Sequence, residues 1–358
     1  MNAPDVRPAR SDAEAHEAFA LALSIFGETT AVDAYRDYKS ALWFDDPAYA
    51  PENVIVARSG GAICGVSRIV PRTLYRRDQP YAMAGISSVC VAAAMQGRGL
   101  SRTLIEHTLE RCRARGFDFA FLVARRAADH YYTRFGFWGV ASYSRMTLRL
   151  PESTADPALT LDDAGAEDAG VLSAAHEASY ARTFGRIARS EAYWLFMLER
   201  CRRMGLRVAS IRRERRTVGY AICSGAAVHE LAYIDDVPVR PMLDLLASAL
   251  PHRASAHELT LSLPAEHPLV AAACGLDLTL AARECPYGGH MVRVLNARAL
   301  LERIATRSPD AAAALAPLAD APRHTHRETS RLLGAWSPTE TRSLEAPLHF
   351  DIGIADEV

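Results

Sequence analysis

Two parts of this chain combine residue types that can do chemistry. Gln96-Gly97-Arg98-Gly99-Leu100-Ser101 places two glycines and an arginine where an apolar run gives way to an amphipathic one. Glycines let a backbone approach a ligand closely and take positive φ. The first amides of a helix lack intrahelical partners, and the helix dipole adds positive potential there. Such an end suits a pyrophosphate, with Arg98 adding charge. The loop fits neither GxxxxGK[ST] nor GxGxxG. Taken alone it also reads as an ordinary strand–helix turn. Tyr132-Thr-Arg-Phe-Gly-Phe137 sets a phenol one strand further on; a core tyrosine is the other reading of Tyr132. His130 reads as a surface residue before it reads as a base. Seven cysteines, at 64, 90, 112, 201, 223, 274 and 285, show no CxxC pairing, so buried free thiols are expected rather than metal ligands or disulfides.

The surrounding pattern supplies the elements that position these residues. Residues 85–92 are apolar and β-branched, which predicts a strand. Leu100, Leu104, Ile105, Leu109 and Cys112 recur at helical spacing up to Gly116. Residues 117–123 form a second apolar strand, and the Tyr132 segment reads as a closing helix. Upstream, 13–26 and 33–43 read as helices, and 53–58 and 62–70 as a hairpin around Ser59-Gly60-Gly61. Residues 140–150 read as the last strand of this unit and 151–157 as a linker.

A second unit repeats the plan: helices over 171–184 and 191–204, a hairpin over 206–224, then strand, helix and strand up to 263. Residues 291–295 are expected to close it, as 146–150 close the first. Its chemistry is missing. No glycine lies between Tyr233 and Leu243, Pro238 and Pro241 remove amides, and Ala271 stands at the tyrosine position. One active site is therefore expected, in the first unit. Helices over 297–306 and 325–334 flank an alanine- and proline-rich stretch in the last segment.

Length, 358 residues, suits two domains or slightly more. A net charge of −1 gives no reason to expect nucleic acid or an anionic membrane. No apolar run approaches a membrane span. The polar first residues lack a signal-peptide core, so a cytoplasmic protein is the expectation. Arg212-Arg-Glu-Arg-Arg216 lies at a hairpin tip without aromatic interleaving and reads as a solvated turn.

The loop at 96–101 resembles the [Gln/Arg]-x-x-Gly-x-[Gly/Ala] signature of the GCN5-related N-acetyltransferases, the GNAT superfamily, with Ser101 at the final small position. With the second unit and the appendage, the chain resembles the Eis (enhanced intracellular survival) aminoglycoside acetyltransferases. The specific motifs are that loop and the segment 132–141, and Met291-Val-Arg-Val-Leu-Asn-Ala-Arg-Ala-Leu-Leu301 is similar to the start of that family's third domain, which has a sterol carrier protein fold. The resemblance implies an α+β class with tandem GNAT folds, each a central mixed sheet flanked by helices. It divides the chain into a catalytic domain at 1–150, a degenerate GNAT-like domain at 158–295 and a truncated sterol-carrier-like remnant at 296–358.

The same resemblance implies acetyl-CoA as co-substrate, held by the splayed strand at Val89, Cys90 and Val91 and by Gln96, Gly97, Arg98, Gly99, Leu100 and Ser101. It implies acetyl transfer to a primary amine of a small molecule or an aminoglycoside-like amino sugar. A phenol's ordinary pKa of about 10 lies within reach of a thiol's, which suits Tyr132 as general acid. Tyr131 would pack or border the acceptor pocket, and Ser87 and Ser88 could lead a proton out through water. Trp43, Asp45 and Asp46 sit in a loop of the kind that lines acceptor sites in this fold, where the carboxylates could bind a cationic amine or simply end a helix. The chain-terminal carboxylate, here on Val358 without the family's terminal phenylalanine, is the implied group near the acceptor. A homo-oligomer is a further implication. A peptide or protein amine as acceptor, and a non-catalytic CoA-binding sensor or scaffold, are the alternatives.

Overall fold

The computed structural model describes residues 4–27, 32–76, 79–125, 128, 130–139, 142–150, 156–183, 185–225, 227–234, 237–250, 258–264, 267–284, 286–306 and 308–334. β1 (Asp5–Pro8), β2 (Val54–Ser59), β3 (Ala62–Arg76) and β4 (Gln79–Val91) form an antiparallel run, and β5 (Phe119–Ala124) joins β4 in parallel. A parallel neighbour needs a crossover. α3 (Leu100–Ala114) makes it, burying Leu100, Leu104, Ile105, Leu109 and Cys112 on one face. Before β2 come α1 (Asp12–Phe26), started by the Ser11 hydroxyl accepting from the Glu14 amide, and α2 (Val32–Phe44). β6 (Trp138–Gly139) and β7 (Ser142–Arg149) end this half of the sequence.

The second half repeats the order. β8 (Leu159–Asp163), α4 (Ala169–Tyr180), the short β9 (Arg186–Ile187) and α5 (Glu191–Arg203) precede an antiparallel run of β10 (Arg207–Arg213), β11 (Arg216–Ser224) and β12 (Ala227–Tyr233). α6 (Val239–Ala249) crosses over to the parallel β13 (Glu258–Leu261), and α7 (Pro268–Ala272), β14 (Asp277–Glu284) and β15 (Gly289–Val294) follow.

The two units exchange their last strands. The first sheet runs β1-β2-β3-β4-β5-β15-β6, and the second runs β14-β7-β13-β12-β11-β10-β8. β15 lies between β5 and β6, with Met291 opposite Leu122 and Val292 opposite both Phe121 and Trp138. β7 lies between β13 and β14, with Leu148 opposite Leu259 and Leu278. This corrects the expectation that 140–150 closes the first unit and 291–295 the second. Alternation of apolar residues states which face of a strand is buried, not which sheet buries it. Each unit is thus completed by a strand from the other, and the sequence boundaries at 150 and 295 do not divide the sheets.

α8 (Ala297–Ala305), α9 (Pro309–Leu315) and α10 (His326–Gly334) follow β15 and carry no strand among the described residues. Leu300, Leu301, Ile304, Leu315, Leu332 and Leu333 join the core that contains Phe119, Phe121 and Val292, so the helices pack on the first sheet. Arg293 fastens them: its guanidinium donates to the Phe135 carbonyl and, at 3.0 Å, to the Pro322 carbonyl. Among the described residues no helix is long and apolar enough to cross a membrane.

Candidate active site

β4 and β5 pair only from Met83 opposite Phe119 to Gly85 opposite Phe121, and then part. The ladder between β3 and β4 slips at the same place. Arg68 faces Ser87 and Val66 faces Cys90, so β4 carries one extra residue, and Ser88 takes φ +53°. Such a bulge bends and twists a strand. The wedge between the parted strands opens into two adjoining cavities. A chamber of about 360 Å³ lies towards Trp43, Arg68 and Leu122, and a groove of about 420 Å³ runs along Cys90, Val91 and the loop at 96–101.

The loop has the form expected of an anion cradle. Gly97 and Gly99 take φ of +72° and +79°, and a Cβ on either would meet no atom within 4 Å. Gly99 is the N-cap of α3, and no side chain caps that end, so its first amides are open to a ligand. Gln96, Gly97, Gly99, Leu100 and Ser101 line the groove together with Val89, Cys90 and Val91. The Gln96 side chain donates to the Val91 carbonyl at 3.1 Å, tying loop to strand. Arg98 is exposed and does not line the groove. These residues fit a diphosphate and an extended pantetheine arm.

Tyr132 opens a 3-10 turn, Tyr132–Phe135, ended by Gly136 at φ +77°. A helix was expected there; the left-handed glycine stops it after one turn. Tyr132 lines both cavities, as do Val89, Phe26 and Ala128. Burial, with Tyr131 beside it and against the pull of Arg125, pushes the phenol up to about 12, so it stays protonated at neutral pH. Tyr131 lines the groove and not the chamber, and it packs against the core, the first of its two expected places. Its hydroxyl donates to Ser101 Oγ at 2.8 Å.

Of the expected acceptor-side residues, Trp43 and Asp46 line the chamber and Asp45 does not. Trp43 is buried, lines the chamber and stacks edge-on to Phe19. Asp45 is exposed and does not line the chamber. Asp46 does line it, 4% exposed, but its carboxylate lies 2.7 Å from Arg72 Nη2 and 3.3 Å from Arg68 Nη2. Burial raises its pKa, and the Arg72 and Arg68 guanidiniums outweigh that and hold it below the ordinary carboxylate range. Asp46 therefore orients two arginines. His130 is exposed and stacked on Tyr287 at 4.5 Å, outside both cavities. Ser87 and Ser88 line the chamber with their hydroxyl oxygens 3.4 Å apart. Val358 lies outside the described residues.

Sequence reasoning missed the basic wall. Lys39, Arg68, Arg72, Arg125 and Arg200 line the chamber. Arg68 and Arg72 were discoverable: two arginines four apart inside an apolar strand share one face and demand partners. Arg200 and Met204 come from α5 and the residue that caps it, so the second unit supplies part of the chamber wall.

In the second unit the corresponding strand carries a closed ion pair. Glu230 of β12 accepts from Arg189 Nη1 and Nη2 at 2.6 and 2.8 Å and from the Tyr220 hydroxyl. The His176 ring sits 3.0 Å from that hydroxyl, and all four side chains are buried. α6 begins at Pro238 rather than at a glycine.

Parted parallel strands, a bulged β4 and an uncapped helix behind a glycine loop define the GNAT fold. Residues 5–141 match the family model described as acetyltransferase (GNAT) domain. The N-terminal unit is accordingly an acetyltransferase domain, the chain is an acyltransferase, and acetyl-CoA is its co-substrate. The chain is similar in fold to a GCN5-related N-acetyltransferase from Anabaena variabilis (16% identity, TM-score 0.61, covering 84% of this chain and 74% of that one). It is also similar to Eis1 from Mycobacterium abscessus (21%, 0.59, 83% and 75%) and to a probable N-acyltransferase from Enterococcus faecalis (15%, 0.63, 84% and 75%). No curated protein matches the chain.

Proposed function

We propose that this enzyme transfers the acetyl group of acetyl-CoA to the amine of a small molecule, with Tyr132 as general acid. The observation that carries the reading is that Tyr132 lines both the groove and the chamber. Tyr132 is thus within reach of both cavities. Bound acetyl-CoA supplies the thioester. This chain's own residues would do the rest: Gly97, Gly99, Leu100 and Ser101 present backbone to the diphosphate, and β4 at Val89–Val91 flanks the pantetheine arm. Tyr132 holds a proton for the leaving thiolate. Ser87 and Ser88 offer hydroxyls for a proton leaving the amine.

A chamber of about 360 Å³ suits a small ligand. That favours a free amine over a residue of a folded protein. Residues 1–150 are read as the catalytic domain, 158–295 as a degenerate unit whose centre is filled by the Arg189–Glu230 pair, and 296–358 as a shortened appendage whose described helices pack on the first sheet. Cytoplasmic location and a homo-oligomer belong to the same reading. An Eis-like acceptor, a polyamine of the aminoglycoside kind, is its narrower form.

Thiol release from acetyl-CoA, followed against a panel of amines, tests the reading. Amine-dependent release that Tyr132→Phe removes is the expected result. Tight acetyl-CoA binding with no release on any amine would replace it with the sensor.

A further inference from the structure

We propose that Arg293 and Arg323 are positioning residues for the reaction: from the second half of the chain they hold the turn that carries Tyr132. The proposal rests on the reading of the preceding section, in which Tyr132 is the general acid, and adds what keeps that acid in place. Among the described residues the Tyr132 hydroxyl has no hydrogen-bond partner. Its ring meets those of Tyr131 and Phe137 edge-on, so the phenol goes where its turn goes.

That turn, Tyr132–Phe135, is a single one, and so short an element does not hold itself. Its carbonyls fall into two pairs. Those of Tyr132 and Thr133 accept from the amides of Phe137 and Gly136, at 3.3 and 2.9 Å. Those of Arg134 and Phe135 accept from the guanidiniums of Arg323 and Arg293. Cationic side chains suit the last carbonyls of a helical turn. A Cβ at Gly136 would lie 3.6 Å from Arg323 Cβ and 3.7 Å from Arg293 Nε, so both side chains rest against the residue that ends the turn.

Arg293 is 5% exposed, and its other hydrogen bond goes to the Pro322 carbonyl at 3.0 Å. One guanidinium of β15 thus joins the turn to the residue before Arg323. A buried cation bonded to carbonyls is costly, and an apolar residue would serve β15 better if packing were its task. The following residues continue the clasp. Trp138 Nε1 donates to the His324 carbonyl at 2.7 Å, and the Trp138 ring meets that of His326 edge-on. The stretch 322–326 therefore grips both the turn and β6 behind it.

Arg323→Ala is the test, since an exposed side chain leaves no hole in the core. With acetyl-CoA and phenethylamine as the probe amine, kcat should fall about tenfold, within the cost of misplacing a catalytic group, while the acetyl-CoA Kd and the thermal transition stay in place. Arg323→Lys, which keeps a donor, should restore most of the loss. In a Tyr132→Phe background Arg323→Ala should cost nothing further, because it acts through that phenol. The fluorine spectrum of protein labelled with 3-fluorotyrosine reads the same contact without turnover, whichever amine the enzyme accepts. The line that Tyr132→Phe removes should shift or broaden in Arg323→Ala and return in Arg323→Lys. Full kcat with an unmoved line, or an equal loss in both backgrounds, overturns the proposal alone. Turnover unaltered by Tyr132→Phe would overturn the preceding reading instead.

Discussion

The Tyr131 hydroxyl donates to Ser101 Oγ at 2.8 Å, joining the turn that carries Tyr132 to the first turn of α3. The Tyr131 and Tyr132 rings meet edge-on with centroids 5.2 Å apart. The glycine loop and the buried phenol are thus held by one short chain of contacts. Ser101 stands where the resembled motif has glycine or alanine, and its hydroxyl has a partner within the protein.

The two tyrosines should separate in kinetics. Tyr132→Phe removes the proton donor and should lower kcat by about 10²-fold, the lower range for general acids, with the acetyl-CoA Kd unchanged. Tyr131→Phe loosens the loop and should weaken acetyl-CoA by about fivefold, one ordinary hydrogen bond, with kcat nearly intact. Single-turnover rates and calorimetric Kd values check both; unaltered turnover in Tyr132→Phe removes that residue from the reaction.

Gly99→Glu should abolish acetyl-CoA binding. A Cβ there meets no protein atom within 4 Å, so the cost comes from φ +79° and from a carboxylate placed in an anion cradle. Calorimetry showing a Kd close to wild type would place the diphosphate elsewhere.

Asp46→Asn should destabilise the fold by about 3 kcal/mol, because two buried guanidiniums lose their shared anion. Asp46 is held below its ordinary pKa, so its contribution is present above that value and is lost as pH falls through the folded one. Urea midpoints at neutral pH measure the effect, and a shift near zero would refute the pairing as a structural anchor.

Lys39 should make stability rise with pH above about 8. Burial, with Arg125, Arg200 and Arg68 adding to it, pushes this lysine down to about 8, so between that value and the ordinary lysine range the unfolded chain binds more protons than the folded one. Lys39→Met should flatten that dependence. Urea midpoints of the two proteins from pH 7 to 10 measure it, and identical pH profiles would contradict this.

Residues 1–150 expressed alone should fail to fold cooperatively. They lack β15, which sits between β5 and β6 with Met291 and Val292 fully buried. Adding residues 158–334 in trans should restore a cooperative thermal transition; a sharp transition from 1–150 alone would show the exchange to be dispensable.

The sequence by itself determined the local parts: the glycine loop between an apolar strand and an amphipathic helix, the tyrosine ahead of Phe-Gly-Phe, and a second copy without either. These are legible because glycine φ, helix periodicity and strand alternation are properties of neighbouring residues. Tertiary structure alone decided which sheet receives the last strand of each unit, since a strand's own residues state which face is buried and pairing is a matter of distant contacts. It also decided that Asp46 faces two arginines rather than an amine, and that Arg200 of α5 reaches the first unit's chamber. A cavity's lining is drawn from residues far apart in the chain, and only folding brings them together.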